Sequence, residues 1–85
     1  MYTVIYEKSA RKILQRMPRE MAIKINEAFK KLALDPARTD VDIKPMIGRE
    51  GYRLKMGGWR AIYHIDRNRL IISVIKIGPR GDVYK

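Results

Sequence analysis

The spacing of hydrophobic positions changes along this chain, and the changes predict the order of its elements. Tyr2 to Tyr6 alternates weakly and is rich in β-branched and aromatic residues, which indicates a first strand. Apolar residues then recur every three or four positions from Ala10 to Met17 and from Ala22 to Leu32, as on the buried stripe of a helix. Ser9 is placed to cap the first helix, and Pro18 ends it and opens the second.

The stretch from Tyr52 to Tyr63 alternates apolar and basic residues on both sides of a Gly-Gly pair. This pattern predicts two strands joined by a two-residue turn at Gly57-Gly58, because glycine takes positive φ twice at little cost. The turn sets the register and places Lys55 opposite Arg60. The predicted core face then collects Tyr52, Leu54, Met56, Trp59, Ala61 and Tyr63. The other face collects Arg53, Lys55 and Arg60.

The remaining segments complete an α+β prediction. Residues 36 to 51, with two prolines and two glycines, are predicted to be loop. Asp66 to Arg69 predicts a turn in which Asn68 takes positive φ, and Leu70 to Ile77 is apolar on both parities, as in a central covered strand. Lys76 breaks that parity, so either it extends along the strand end or the register contains a bulge. The prediction is one α+β domain, residues 1 to 85, with an N-terminal strand and a helix hairpin packed on one face of a small, mainly antiparallel sheet (β-α-α-β-β-β).

Composition narrows the class of partner. The chain has 85 residues, a net charge of +10 and a pI of about 10.2, which predicts a polyanionic partner such as nucleic acid, an anionic membrane surface or an acidic protein. It has no cysteine, and its N-terminus lacks the pattern of a signal peptide. The longest apolar run is too short to span a bilayer, so we expect a soluble, cytoplasmic protein without a membrane partner.

The hairpin cations suggest chemistry on a phosphate. Because the last strand runs antiparallel to residues 59 to 65, its end returns beside Arg60, and Arg80 and Tyr84 can reach the same face. Guanidinium groups bind phosphate oxygens in bidentate fashion, and like charges opposed across a strand pair favour an anion site over a solvated surface. His64 stands alone and no cluster has metal-ligand spacing, so no metal or cofactor is expected. RNA suits metal-free cleavage because its 2′-hydroxyl supplies the nucleophile.

These residues carry a resemblance to a known family. The hairpin sequence YRLKMGGWRAIY and the ending IGPRGDVY, in this order after a strand and a helix hairpin, resemble the RelE/ParE superfamily of bacterial and archaeal toxins over essentially the whole chain. For RelE-type members the resemblance implies ribosome-dependent cleavage of messenger RNA in the A site, inhibition of translation and an acidic cognate antitoxin. It implies that Arg60 and Arg80 contact the scissile phosphate, that Arg53 and Lys55 bind RNA, and that Lys55 and Tyr84 are candidates for proton transfer.

Some features depart from the pattern or leave alternatives. Pro79 stands where many relatives carry a histidine or a basic residue, and the hairpin has no carboxylate to act as a base. One alternative is a non-enzymatic ParE-type toxin that inhibits DNA gyrase, which the short helices disfavour; another is an RNA-binding module without chemistry. Tyr84 can instead stack on a base or anchor the C-terminus. Packing roles are predicted for Trp59, Tyr52 and Tyr63, an incidental role for His64, and further RNA contacts for Lys44 and Arg49.

Overall fold

The computed structural model describes residues 1–38 and 40–79, and in them two helices pack on one face of a five-stranded sheet. The elements in chain order are β1 (Thr3–Tyr6), α1 (Lys8–Arg16), α2 (Arg19–Leu34), β2 (Ile43–Pro45), β3 (Tyr52–Met56), β4 (Trp59–Asp66) and β5 (Ile71–Pro79). The strand order is β1-β5-β4-β3-β2; β1 is parallel to β5 and the other neighbours are antiparallel. The α+β prediction is confirmed, with one strand more than the sequence indicated.

The additional strand is β2, which lies inside the segment predicted to be loop. Its three residues pair with β3, Ile43 with Leu54 and Lys44 with Arg53. The loop prediction was wrong here because three residues ending in a proline carry no measurable alternation. Pro45 is tolerated because β2 is an edge strand, where a missing N–H breaks no internal ladder.

The β3–β4 hairpin has the register that the sequence predicted, from Met56 opposite Trp59 to Tyr52 opposite Tyr63. Its turn differs in one respect. Gly57 has a φ of +59°, whereas Gly58 is not among the residues with positive φ in the described part of the chain. A turn with glycine needed only at its first central position is of the II′ type, so the expectation of positive φ at both glycines was wrong.

The start of α1 also differs from its prediction. The helix begins at Lys8 with Glu7 at the N-cap position, and Ser9 lies within the first turn. The Ser9 hydroxyl donates instead to the backbone carbonyl of Ile75, at 2.9 Å, and so joins the helix to β5. The break between the helices at Pro18 is confirmed.

The β4–β5 connection settles the position of Lys76. Asp66 pairs with Ile71, so residues 67 to 70 form the turn, and the residue with positive φ is Leu70 (φ 56°) rather than the predicted Asn68. Further along, Tyr63 pairs with Val74 but Ile62 pairs with Lys76. Ile75 is therefore an extra residue, a β-bulge, which reverses the parity of the strand beyond it. Lys76 consequently shares a face with Ile62.

The core lies between the helices and the sheet and is centred on aromatic rings. Phe29 of α2 contacts Tyr6 and Tyr63 edge-on, with ring centroids 5.9 and 5.2 Å apart, and Tyr63 stacks on Tyr52 at 5.6 Å. Trp59 and Tyr52 pack against the same cluster, which confirms the predicted packing roles. One face of the sheet is thus committed to the core.

Candidate nucleic-acid interface

Five cationic side chains share the face of the sheet opposite the helices. Residues that are direct partners in adjacent strands project to the same face, as do residues two positions apart in one strand. Register therefore joins Lys44 to Arg53, Lys55 to Arg60, and Lys76 to Ile62, which lies two positions from Arg60. We call the set the basic face: Lys44, Arg53, Lys55, Arg60 and Lys76.

The basic face consists of two rows that cross the strands. The first row runs through Lys44, Arg53, Ile62 and Lys76, which are successive partners on β2, β3, β4 and β5. With strands about 4.8 Å apart, its ends lie about 14 Å from each other. The second row, Lys55 and Arg60, lies two residues along the strands, about 7 Å away. Five charges therefore occupy an area comparable to a few nucleotides of a single strand.

The accessibility of these residues differs in a consistent way. The three lysines are exposed, whereas Arg53 and Arg60 are half-buried. Ile62, between Arg53 and Lys76, is only 4% exposed although it does not belong to the core beneath the helices. The basic face thus has an apolar centre at Ile62, two half-buried arginines and three exposed lysines.

Acidic groups border this face at one end, where Lys55 lines a cavity of about 360 Å³ together with Glu27, Asp40 and Asp42. The nearest strand carboxylate on the same parity is Asp66, six positions along β4 from Arg60, or about 20 Å. Two ion pairs join residues within the described ranges, Arg38 with Asp40 and Arg69 with Asp66, and neither includes Lys55 or Lys76. The Arg38 guanidinium lowers the pKa of the Asp40 carboxyl, mainly through their hydrogen bond. Asp40 and Asp66 thus each have an arginine partner that does not belong to the basic face.

Two of the predicted site residues, Arg80 and Tyr84, lie outside the described residues. The structure nevertheless shows where the chain leads toward them. Gly78 is the partner of Arg60, and Pro79 is the partner of Trp59. The end of β5 therefore returns beside Arg60, as the sequence predicted, and glycine leaves no side chain next to that arginine.

His64 lies on the parity of the basic face but at the far end of β4. It lies four positions from Arg60, about 13 Å along the strand, as the sequence indicated. It lines a cavity of about 290 Å³ together with Arg49, Glu50 and Gly51, at the start of β3. Of the two loop cations proposed for RNA contact, Arg49 therefore belongs to this cavity, and Lys44 belongs to the basic face.

The tyrosines of the core are held in their neutral form. Burial raises the pKa of Tyr6 to about 12, and burial together with the adjacent Tyr52 raises the pKa of Tyr63 still further. The Tyr6 hydroxyl donates to Oδ1 of Asn26 at 3.1 Å. These phenols lie on the core side and are structural.

The cationic side chains of this face are of the kind that can neutralise a polyanion. Guanidinium and ammonium groups neutralise phosphates, and no three His, Cys, Asp or Glu side chains within residues 1–38 and 40–79 are grouped as metal ligands would be. None of the helices in the described ranges is long and apolar enough to cross a bilayer. Sequence reasoning found three of the five cations; Lys44 was proposed only as a loop contact, and Lys76 needed the bulge to be placed.

Comparison with known proteins places this geometry in a family. A family model described as the ParE toxin of type II toxin-antitoxin systems, parDE, matches residues 4–84. Toxin RelG of Mycobacterium tuberculosis is 26% identical over 85 residues, which cover 99% of this chain and 97% of that protein. The match therefore extends over both proteins almost from end to end.

Solved structures show the same architecture. The archaeal RelE–RelB complex from Pyrococcus horikoshii contains a chain similar to this one with a TM-score of 0.81 and 28% identity, covering 95% of this chain and 97% of that chain. The isolated RelE toxin of E. coli gives a TM-score of 0.79 at 18% identity, covering 99% of this chain and 92% of that chain. The second likeness concerns the fold alone.

Proposed function

This chain belongs to the ParE toxin family of type II toxin-antitoxin systems, and we propose that it acts as RelE-type toxins do, as a ribosome-dependent endoribonuclease that cleaves messenger RNA in the A site. The observation that carries the proposal is the basic face: five cations on one sheet surface, arranged in two rows about 7 Å apart. A sheet gains no stability from like charges opposed across its strands, as Lys55 and Arg60 are, so a ligand of opposite charge accounts for them.

The reaction that suits this surface uses the substrate's own nucleophile. The ribose 2′-hydroxyl loses its proton to a base, its oxygen forms a bond to the adjacent phosphorus, and the bond from phosphorus to the 5′-oxygen breaks. The leaving oxygen takes up a proton, giving a 2′,3′-cyclic phosphate and a 5′-hydroxyl. Cationic groups stabilise the extra negative charge of the pentacoordinate transition state, which is the largest contribution expected from a preorganised site.

We assign roles on the basic face according to position and charge. Arg60, half-buried and next to Gly78, is the phosphate ligand in the second row, and Arg80 is its proposed partner beyond the end of β5. Lys55, opposite Arg60, and Tyr84 are the candidates for proton transfer. Arg53 binds the RNA backbone in the first row.

The proposed partners follow from the same surface. Ribosome-bound messenger RNA is the substrate, and an antitoxin with an acidic segment is the inhibitor that covers the basic face. The solved relative from Pyrococcus horikoshii is a RelE–RelB complex, which supports a partner of this kind. A net charge of +10 favours fast association with either polyanion at low ionic strength.

One observation favours a second candidate function. The matching family model is the one described for ParE toxins. For ParE-type members, the resemblance implies a non-enzymatic toxin that inhibits DNA gyrase. On this alternative, the basic face would bind a protein or a DNA complex without chemistry. The two functions differ in whether messenger RNA is cut.

Primer extension on messenger RNA recovered from a translation reaction separates them. We expect the wild-type protein to cut within codons, and Arg60→Ala to lose cleavage about 100-fold or more, because a preorganised charge at the transition state is removed. Arg19→Ala is the matched control: it removes one guanidinium from the exposed first turn of α2, on the helix side, and should leave cleavage unchanged.

The cleavage assay and a gyrase supercoiling assay together distinguish the two functions. Intact message together with inhibited gyrase supercoiling would replace the nuclease proposal with the ParE-type function. Equal activity of Arg60→Ala and wild type would remove Arg60 from the site. The same assay with Arg80→Ala and Tyr84→Phe tests the two residues outside the described ranges.

A further inference from the structure

We propose that the β-bulge at Ile75 makes Lys76 an RNA-binding residue, and that the RNA backbone crosses the strands along the row Lys44, Arg53 and Lys76. This inference rests on the proposed RNA substrate and adds the path that the strand takes. The ligand of the row is the ribose-phosphate backbone that flanks the scissile phosphate.

The β-bulge at Ile75 determines the face of the sheet to which Lys76 projects. Without an extra residue, the pairing of Tyr63 with Val74 would continue as Ile62 with Ile75, and Lys76 would project toward the helices. The observed pairing is Ile62 with Lys76. One inserted residue therefore moves an ammonium group from the core side to the basic face and restores an apolar residue, Ile77, to the core, where it is 3% exposed.

The row of basic residues runs across the strands and not along them. Lys44, Arg53 and Lys76 are joined through Ile62 by successive register pairs, so they lie on a line perpendicular to the strands. This line is about 14 Å long, whereas the basic face extends only about 7 Å along the strands. An extended polyanion neutralises the most charge when it follows the longer direction. The row therefore fits phosphates on both sides of the one bound by Arg60.

The surroundings of Lys76 leave its ammonium group accessible to a ligand. Its side chain is exposed, and its cross-strand neighbour Ile62 is apolar and 4% exposed. A lysine used only for solubility does not need a bulge to reach this face. Its position next to a covered apolar residue leaves the ammonium group directed at ligand or solvent, without a carboxylate of the described strands facing it.

The test measures binding and cleavage separately. A labelled single-stranded RNA with 2′-O-methyl groups cannot be cut, so its affinity for the protein can be measured by fluorescence anisotropy. The salt concentration is varied from about 50 to 300 mM, because contacts to phosphate make the affinity depend on salt. We expect Lys76→Ala to lower the slope of log K against log salt by about 0.7, the value for one contact to a single strand. Lys30→Ala, an exposed lysine on α2 by the groove next to β1, is the matched control and should leave the slope unchanged.

Cleavage kinetics on programmed ribosomes provide the second readout. Lys76→Ala should raise KM several-fold while kcat stays within about twofold, because a backbone contact away from the scissile phosphate binds ground state and transition state equally. Lys76→Arg keeps the charge and should restore both the slope and KM. If Lys76→Ala matched Lys30→Ala in both assays, the path would be refuted while the nuclease function stood. If the wild-type protein bound RNA with a slope that Lys76→Ala reduced but cut no message, the cleavage proposal would fail and the path would remain.

Discussion

Two tyrosines of the core, Tyr63 and Tyr6, differ in whether their hydroxyl groups form a hydrogen bond. The Tyr63 hydroxyl is buried and has no hydrogen-bond partner within the described part of the chain, whereas the Tyr6 hydroxyl donates to Asn26. A buried polar group without a partner costs about 1–3 kcal/mol, and a satisfied hydrogen bond contributes about 1 kcal/mol. The same chemical change at the two positions should therefore have opposite effects.

We expect Tyr63→Phe to raise the free energy of unfolding by about 1 kcal/mol and Tyr6→Phe to lower it by about the same amount. Urea denaturation at pH 7 measures both. At pH 11 the advantage of Tyr63→Phe should grow by about 1.4 kcal/mol, because burial raises the pKa of Tyr63 above the unfolded value of 10. Stability from a raised pKa is complete below the unfolded pKa and is lost as pH rises. A loss of stability in Tyr63→Phe at both pH values would contradict this account.

Single residues also show how far sequence reasoning reaches into the site. Arg53, Lys55 and Arg60 were predicted to share a face because strict alternation around a two-residue turn fixes parity, and register confirms it. The sequence did not decide whether Lys76 extends along the strand end or follows a bulge. An inserted residue does not change the hydrophobic pattern of a strand that is apolar on both parities. Local periodicity predicts a face only where the strand is regular.

At the scale of elements, the β3–β4 hairpin is the part that the rest of the site depends on. Its turn joins the strands that carry Lys55 and Arg60, and Gly57 has the only positive φ in that turn, +59°. A Cβ at Gly57 would also lie 2.9 Å from the Met21 methyl carbon, while a Cβ at Gly58 would meet nothing within 4 Å. The two adjacent glycines are therefore not equivalent.

We expect Gly57→Ala to lower the free energy of unfolding by about 1–2 kcal/mol, since a left-handed φ is costly for an L-residue. Met21 can move its flexible end, so the backbone makes the main contribution. Gly58→Ala, the matched control, should be neutral or slightly stabilising. Urea denaturation of both variants is the measurement, and equal losses would show that the turn does not have the described geometry.

Elements that the sequence did not predict share a physical reason. β2 is three residues long and forms only because β3 presents an unpaired edge, a partner that is distant in sequence. Ser9 does not cap α1, which begins at Lys8, and its hydroxyl donates to the Ile75 carbonyl, again across the fold. Strong local periodicity predicted α1, α2 and the hairpin, whereas features created by tertiary contacts could not be found in the sequence.

In the whole molecule, the two faces of the sheet differ in composition. One face packs against both helices through an apolar and aromatic cluster. The other presents five cations of a chain whose net charge is +10. Charge of one sign concentrated on one side opposes the compact state and attracts a polyanion at the same time. The burial of the core must therefore offset the repulsion among these cations.

The central claim is that RNA binds the sheet face opposite the helices. An NMR titration of the 15N-labelled protein with an uncleavable 2′-O-methyl RNA tests it most directly, because every backbone amide reports its own surroundings. We expect the largest shift changes in β2, β3, β4 and the end of β5, around Lys44, Arg53, Lys55, Arg60 and Lys76, with α1 and α2 nearly unchanged. Changes concentrated on the helices, or none at an RNA concentration that shifts anisotropy, would contradict it.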